Sequence, residues 1–136
     1  MMAAAPVGTS SPAVLVLDDD PGVRDSMARL LRAYGYSPLT ASTLAEAAAV
    51  MDRSAIDALI LDVRLSDGDT GLSLLDTIRG NPRFATTPVL ILTGALLTDA
   101  EEAQITRMRA YLFRKPEGFH TLLQFLDTLT DRDQQH

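Results

Sequence analysis

The sequence predicts an α/β domain in which a five-stranded parallel sheet is covered by helices on both faces. Three observations predict this fold. Short apolar runs alternate with helical patterns through the middle of the chain, and the connections between them are short. Several of the apolar runs also end directly on polar residues. Because a helix returns the chain to the start of the next strand, such βα units build a parallel sheet.

Five short runs are predicted as strands because they are largely apolar and are bounded by polar or turn-forming residues. They are residues 13–17, 38–41, 58–61, 89–92 and 111–114. The first, third and fourth of these runs are apolar throughout, which is typical of strands that are buried on both faces.

Apolar residues recur at helical spacing between these runs. The predicted helices are residues 21–34, residues 44–53, a third helix marked by Leu72, Leu75 and Ile78, residues 98–109, and a closing helix marked by Phe119, Leu122, Leu123, Leu126 and Leu129. Asp20 before Pro21 is predicted to cap the first helix, and Gly35 to end it. Thr43 and Glu46 predict a capping box for the second helix.

Length, charge and composition limit the classes of function. The 136 residues form one domain, predicted over residues 13–130, with a disordered lead-in at 1–12 and a frayed tail at 131–136. The net charge of −6 and the lack of a basic stripe argue against nucleic-acid binding. The absence of Cys excludes disulfides and thiol chemistry. No apolar stretch reaches the roughly 20 residues that a membrane helix needs, so we expect a cytoplasmic protein without membrane contact.

Three consecutive aspartates, Asp18, Asp19 and Asp20, follow the first predicted strand. The carboxyl ends of the strands are where ligands bind in an open α/β sheet. Packed like charges repel one another, which favours a cation that joins them. A helix cap explains Asp20 but not Asp18 and Asp19. These two carboxylates are therefore predicted to hold a hard divalent cation such as Mg²⁺, which prefers oxygen ligands.

Polar residues end three further strands at the same edge of the sheet: Asp62, Thr93 and Lys115. Asp62 is predicted to be a third carboxylate beside the cation, or a nucleophile that forms an acyl phosphate. Phosphoryl transfer needs charge neutralisation on the phosphoryl oxygens, which the Lys115 ammonium and the Thr93 hydroxyl can supply. Each residue alone is typical of a turn, but their combination favours phosphoryl transfer to Asp62.

Four stretches resemble a response-regulator receiver domain of two-component signalling, a family that includes CheY-like proteins. They are VLVLDDDPGVRDSMARLL, ALILDVRLSDGDTGLSLLDTIR, PVLILTG and YLFRKP. The resemblance covers residues 13–130 and implies a (βα)5 flavodoxin-like three-layer sandwich. It also implies Mg²⁺-dependent phosphorylation of an aspartate by a histidine kinase or a histidine phosphotransfer protein, in a switch that assists its own phosphorylation and dephosphorylation and is not an enzyme.

The resemblance assigns a role to each residue of the predicted metal site. Asp62 matches the phosphoacceptor, which also faces the metal. Asp19 matches the direct metal ligand, and Asp18 matches the neighbouring acid that supports the ion from farther out. The backbone carbonyl of Arg64 matches the remaining protein ligand.

The resemblance also assigns the residues that contact the phosphoryl group. Thr93 matches the switch hydroxyl, and Lys115 matches the lysine that pairs with the phosphate. The family usually has an aromatic switch residue three positions before this lysine, where this chain has Leu112. Tyr111 and Phe113 flank that position, and strand alternation is expected to turn both to the other face of the sheet.

The side chain of Arg64 is a separate feature. It leaves the chain two residues after Asp62, and we expect it either to approach the phosphoryl group and shield it from water or to lie solvated at the rim. In the first case Arg64 alters the lifetime of the phospho-aspartate.

The output of such a switch is a contact with a downstream protein. The expected surface is the face built by the fourth helix and the last two strands, which is also suited to a homodimer. The apolar face of residues 98–109 is poor, and a weakly anchored helix moves easily.

Two other functions stay open on the sequence alone. Asp18 and Asp20 have the spacing of a haloacid-dehalogenase-type phosphatase, with Thr93 and Lys115 as its further motifs, although this leaves Asp62 without a role. The other alternative is a receiver-like binding module that is not phosphorylated.

Overall fold

The predicted parallel sheet is confirmed. Its strands are β1 (Ala13–Leu17), β2 (Ser37–Ala41), β3 (Ala58–Leu61), β4 (Val89–Thr93) and β5 (Tyr111–Arg114). They are hydrogen-bonded in the order β2-β1-β3-β4-β5, and every pair is parallel. The computed structural model describes residues 11–65, 70–115 and 118–130. This strand order has its switch point between β1 and β3, where ligands bind in flavodoxin-like sheets.

Helices cover both faces of the sheet and make three layers. They are α1 (Pro21–Ala33), α2 (Leu44–Arg53), α3 (Ser73–Gly80), α4 (Asp99–Arg107) and α5 (Gly118–Leu129). Buried residues of α2, α3 and α4 pack with Leu15 and Leu17 in one core. Buried residues of α1 and α5 pack with Val14 and Val16 in the other. Alternate residues of β1 therefore enter different cores, which explains why the strand is apolar without interruption.

The ends of α1 form as the sequence predicts. The Asp20 carboxylate accepts hydrogen bonds from the backbone N–H groups of Gly22 (2.8 Å) and Val23 (3.2 Å). Gly35 takes a positive φ of 93° after the helix, and the N–H of Tyr36 donates to the carbonyl of Leu31 over 2.9 Å. This is the glycine-terminated helix end that the residue pattern indicates.

The capping box predicted for α2 is only half formed. The Thr43 hydroxyl accepts from the N–H of Glu46 over 3.1 Å, but the main donor to the Glu46 carboxylate is the N–H of Ser42 over 2.7 Å, and the N–H of Thr43 acts on it more weakly. A complete capping box instead begins α4, between Thr98 and Glu101. The Ser42 hydroxyl also donates to Glu46, and this second donor explains why the carboxylate reaches one residue farther back.

Helix α4 is shorter than the predicted 98–109. Thr98 is its cap, and the chain turns out of the helix at Arg109, which takes a left-handed φ of 59°. The guanidinium of Arg79 holds this turn, because it donates to the carbonyls of Met108 (2.8 Å) and Thr87 (2.7 Å). A tertiary contact from α3 thus stabilises the turn at which α4 ends.

The predicted tail at 131–136 lies outside the described residues, as does the predicted lead-in except for residues 11 and 12. The domain bounds of 13–130 stay a prediction. Among the helices that the structure describes, none has the length and apolar character needed to cross a membrane.

Gly71 sits against the backbone of Asp62. A Cβ atom at this position lies 2.0 Å from the Asp62 carbonyl oxygen and 3.1 Å from its carbon. We expect Gly71→Ala to lower the free energy of unfolding by about 1–3 kcal/mol, because the backbone must shift to relieve the overlap. Urea denaturation measures this change. The control is Gly80→Ala, where the new Cβ meets nothing within 4 Å; equal effects of the two substitutions contradict the prediction.

The left-handed conformation of Arg109 predicts a difference between two replacements. Arg109→Gly and Arg109→Ala both remove the guanidinium and its 3.3 Å hydrogen bond to the Ala85 carbonyl. Only glycine adopts the φ of 59° without strain. We expect the glycine variant to be more stable than the alanine variant by about 1 kcal/mol, measured by urea denaturation. Equal stability of the two variants contradicts this account of the turn.

Candidate functional site

The strand register brings Asp18 and Asp62 together. Leu17 and Leu61 are paired across β1 and β3, and each aspartate is the next residue after its strand. The N–H of Asp62 donates to the carbonyl of Leu17 over 2.9 Å, which extends the ladder by one step. The two carboxylates therefore leave the sheet at the same level of its carboxyl edge.

A cluster of three carboxylates lies at this edge. One carboxylate oxygen from each of Asp18, Asp19 and Asp62 lies within 4.8 Å of the others. The Asp18 side chain is 1% exposed and that of Asp62 is 11% exposed, so water screens their repulsion poorly. Asp20 is not in this cluster, because its carboxylate is exposed and caps α1.

Lys115 bridges two of the three acids. Its Nζ lies 2.9 Å from Asp18 Oδ2 and 3.3 Å from Asp62 Oδ2. Lys115 follows β5 at the same carboxyl edge, and its N–H donates to the Thr93 carbonyl over 3.0 Å. The ammonium thus offsets part of the negative charge that the strand ends bring together.

Burial and charge shift the pKa values of two groups in the site. Burial raises the pKa of the Asp62 carboxyl above its ordinary value; the positive charge of Lys115 opposes this rise and the negative charge of Asp18 adds to it. Burial alone lowers the pKa of the Lys115 ammonium, but its hydrogen bonds and attraction to Asp18 and Asp62 outweigh burial and raise that pKa. The ammonium therefore stays charged at neutral pH.

Thr93 is fully buried at the end of β4. Its Oγ1 accepts a hydrogen bond from the N–H of Ala95 over 3.1 Å. This contact orients the hydroxyl oxygen and leaves the hydroxyl hydrogen to be donated elsewhere. Among the residues that the structure describes, Thr93 and Asp18 are the buried polar ones, and both lie at the carboxyl edge of the sheet.

Two residues that the sequence analysis did not single out support the site. Arg24 Nη1 donates to the backbone carbonyl of Asp18 over 2.9 Å, which holds the acidic turn against α1. Gly71 packs on the backbone of Asp62 at a distance that no side chain fits. The contact of Arg24 could have been predicted from its position on the helix that follows the aspartates. The close approach of Gly71 to Asp62 could not, because no feature of the local sequence indicates it.

The side chain of Arg64 contacts α4. Its guanidinium makes two hydrogen bonds to the Glu101 carboxylate, one of them from Nη2 at 3.0 Å, and Nη2 also donates to the Leu96 carbonyl over 2.8 Å. The side chain is 47% exposed, in agreement with the expected placement at the rim, but a tertiary ion pair holds it there. Its approach to a phosphoryl group stays a prediction. The hydrogen bond to Glu101 is the main cause that raises the pKa of Arg64, and the charge of Asp62 adds to it.

The expected alternation in β5 is present. Leu112 packs on the core shared by α2, α3 and α4. Tyr111 and Phe113 face the other way and contact the ring of Phe125 in α5, at centroid distances of 4.7 Å and 5.9 Å. The position at which the resemblance implies an aromatic switch residue is aliphatic in this chain.

The carboxylate cluster has the chemistry of a magnesium site. It offers only hard oxygen donors, from Asp18, Asp19 and Asp62, which is the ligand type that Mg²⁺ binds. The buried, mutually repelling carboxylates gain from a divalent cation, because Lys115 supplies only a single positive charge. The residues present therefore fit the ion. The contribution of the Arg64 backbone carbonyl stays a prediction.

Comparison with known proteins assigns the chain to a family. The response regulator receiver domain family matches residues 14–127. The structure of the chemotaxis protein CheY4 from Vibrio cholerae has a TM-score of 0.78 with 27% identity, over 88% of this chain and 98% of that one. A response regulator from Burkholderia pseudomallei, solved with a phosphorylated aspartic acid, a calcium ion and citrate, has a TM-score of 0.74 with 26% identity, over 91% of this chain and 71% of that one.

Curated relatives are longer proteins. The transcriptional regulatory protein GlrR of Escherichia coli is 34% identical over 116 residues, which are 84% of this chain and 25% of that protein. This chain spans only 15% to 25% of the length of the first curated relatives that it matches. Receiver domains are signalling switches that are phosphorylated on an aspartate and interact with histidine kinases and downstream effectors. The family match covers most of the chain and the sheet order agrees with it, so this chain belongs to the response regulator receiver domain family.

Proposed function

We propose that Asp62 accepts a phosphoryl group from a phosphohistidine of a histidine kinase or a histidine phosphotransfer protein. The observation that carries this proposal is that the Asp62 carboxylate lies within 4.8 Å of those of Asp18 and Asp19 and 3.3 Å from the ammonium of Lys115. An acid cluster with a lysine across it provides both a nucleophile and the positive charge that phosphoryl transfer requires. The phosphorylated aspartic acid of the Burkholderia pseudomallei relative supports it.

The transfer needs no proton from the protein. An oxygen of the ionised Asp62 carboxylate attacks the phosphorus of a phosphohistidine whose other ring nitrogen is protonated. A P–O bond forms, and the P–N bond breaks with its electron pair going to nitrogen, so that neutral imidazole leaves. The Lys115 ammonium already lies 3.3 Å from Asp62 Oδ2, so it is placed to neutralise the transferred oxygens. The Thr93 hydroxyl hydrogen is the proposed hydrogen-bond donor to the same group.

The proposed metal is Mg²⁺, held by the carboxylates of Asp18, Asp19 and Asp62 and the backbone carbonyl of Arg64. When bound, the ion neutralises charge on the phosphoryl oxygens. The oxygen-only donor set supports this assignment, as does the calcium ion in the Burkholderia pseudomallei relative.

The proposed output is a change of contact with a downstream protein at the face made by α4, β4 and β5. In support, Ile105 is the buried residue of α4, and the remaining contacts of this helix are largely polar and near the surface. A homodimer through the same face and a cytoplasmic location stay proposals. The phosphatase alternative is disfavoured because Asp20, its second acid, caps α1 and lies outside the carboxylate cluster.

Phosphotransfer identifies the acceptor. We expect the wild-type chain to take label from a phosphohistidine donor or a small acyl phosphate in the presence of Mg²⁺, and Asp62→Asn to take none, because an amide is not a phosphoryl acceptor. Borohydride reduction of the adduct and mass spectrometry locate the modified residue. The control is Asp57→Asn, since Asp57 is an exposed acid at the opposite end of β3, and we expect it to be labelled as wild type. Label on another residue, or labelling of Asp62→Asn, contradicts the proposal.

The raised pKa of Asp62 predicts a pH-dependent effect on stability. A carboxyl group whose pKa is higher in the folded state than in the unfolded state lowers the free energy of unfolding when it is ionised. The folded protein is therefore more stable while this group is protonated, and that stability is lost as the pH rises through the folded pKa. We therefore expect Asp62→Asn to raise the melting temperature at neutral pH by a few degrees in chelator. The gain shrinks as the pH falls and Asp62 is protonated.

Thermal unfolding across the acid to neutral range measures this difference. Asp25→Asn removes an exposed acid of α1 and controls for the loss of one negative charge. A wild-type protein as stable as Asp62→Asn at neutral pH, or a difference that does not depend on pH, contradicts the assignment.

A further inference from the structure

Two arginines hold the connection between β4 and α4, residues 94–98. Arg64, which follows β3, donates to the Leu96 carbonyl over 2.8 Å. Arg114, at the end of β5, donates to the Ala95 carbonyl over 2.9 Å. The connection is thus clamped through its backbone from the two strands on either side of β4.

Each arginine also pairs with a glutamate in the first turn of α4, but the two pairs differ. Arg114 lies 3.5 Å from Glu102, and their side chains are 46% and 53% exposed. Arg64 makes two hydrogen bonds to Glu101, whose side chain is only 19% exposed. A two-pronged contact of this kind is stronger and more directional than a single exposed ion pair.

Glu101 couples Arg64 to the start of α4. Its Oε1 accepts from the N–H of Thr98 over 2.9 Å, and its own N–H donates to the Thr98 hydroxyl over 3.1 Å. Glu101 Oε1 therefore serves Arg64 and the helix cap together. Arg64 and Thr98 hold the pKa of the Glu101 carboxyl down, to about 2, so the carboxylate stays charged at neutral pH.

Arg64 lies two residues after Asp62 at the carboxyl edge of the sheet, and its guanidinium binds the connection that directly follows Thr93, a residue of the proposed phosphorylation site. A phosphoryl group on Asp62 replaces one negative charge by nearly two and adds three strong acceptor oxygens. A guanidinium binds phosphate through two parallel hydrogen bonds, as it binds a carboxylate. Glu101 and a phosphorylated Asp62 are therefore competing acceptors for one side chain.

We propose that the Arg64–Glu101 pair is an exchangeable latch. Phosphorylation of Asp62 draws the guanidinium of Arg64 away from Glu101 and from the Leu96 carbonyl, and this releases residues 94–98 and the first turn of α4. Leu96 is 91% exposed on that connection, so release changes the presentation of an apolar side chain beside the modified site. The proposal rests on the proposed function, because it requires a phosphoryl group on Asp62. Glu101 is then a positioning residue that keeps Arg64 off the phosphoryl site in the unmodified domain.

The competition makes a quantitative prediction by linkage. Removing the competing acceptor frees Arg64, so Glu101→Gln is expected to bind the phosphoryl mimic beryllofluoride, with Mg²⁺, about fivefold or more tightly than wild type. The matched control is Glu102→Gln, which removes an equal charge from the same turn and is expected to bind within about twofold of wild type. In an Arg64→Gln background, adding Glu101→Gln is expected to have no further effect. Titration followed by fluorine NMR or calorimetry measures the affinities.

A second readout needs neither metal nor mimic. In the metal-free protein, amide hydrogen exchange at residues 94–102 is expected to quicken in Glu101→Gln and Arg64→Gln and not in Glu102→Gln. Adding Mg²⁺ and beryllofluoride to wild type is expected to quicken exchange in the same segment.

Different results overturn different claims. If wild type binds the mimic and Glu101→Gln binds it with the same affinity, the proposed latch is wrong. The proposed function is not affected by that result. A gain for Glu101→Gln that persists in the Arg64→Gln background also overturns it, because the effect is then general electrostatics. If wild type neither binds the mimic nor takes label on Asp62, the proposed function is wrong. The proposed movement of Arg64 from Glu101 to the phosphoryl group is then wrong as well.

Discussion

The candidate site depends on the repulsion between carboxylates that adjacent parallel strands bring to one edge of the sheet. Asp18 and Asp62 follow paired residues of β1 and β3, so the backbone ladder itself places their charges side by side. Lys115 offsets part of this charge by contacting both acids. What remains is a site that gains from further positive charge. The same negative charge explains why the residues fit a divalent cation, as proposed above.

Arginine side chains hold the surrounding backbone in place. Arg24 binds the carbonyl of Asp18, Arg79 binds the turn after α4, and Arg64 and Arg114 bind the connection before it. A guanidinium suits this use because it offers five donors in a rigid plane and stays charged when partly buried. Among these contacts, that of Arg64 lies beside the proposed phosphorylation site, so a change of charge there acts directly on the start of α4.

Much of the fold was predictable because the core strands carry their own signal. Strands β1 and β3 have the predicted bounds, since uninterrupted apolar runs that end at a charged residue leave little freedom in where a strand stops, and β5 has its predicted bounds as well. The C-terminal end of α4 and the main partner of Glu46 differ in detail from the prediction. Those features depend on Arg79 and Ser42, whose side chains choose among several nearby acceptors or donors that a local pattern does not rank.

The sequence by itself determined the chemistry of the site, because acids, a threonine and a lysine that end parallel strands must meet at one edge of the sheet. The tertiary structure decided how the flexible side chains at that edge are shared. Arg64 finds its partner 37 residues away in Glu101, and Gly71 is needed where the returning chain meets Asp62. A long side chain with several rotatable bonds has no preferred partner until folding supplies one, and no local pattern encodes how closely two distant segments will pack.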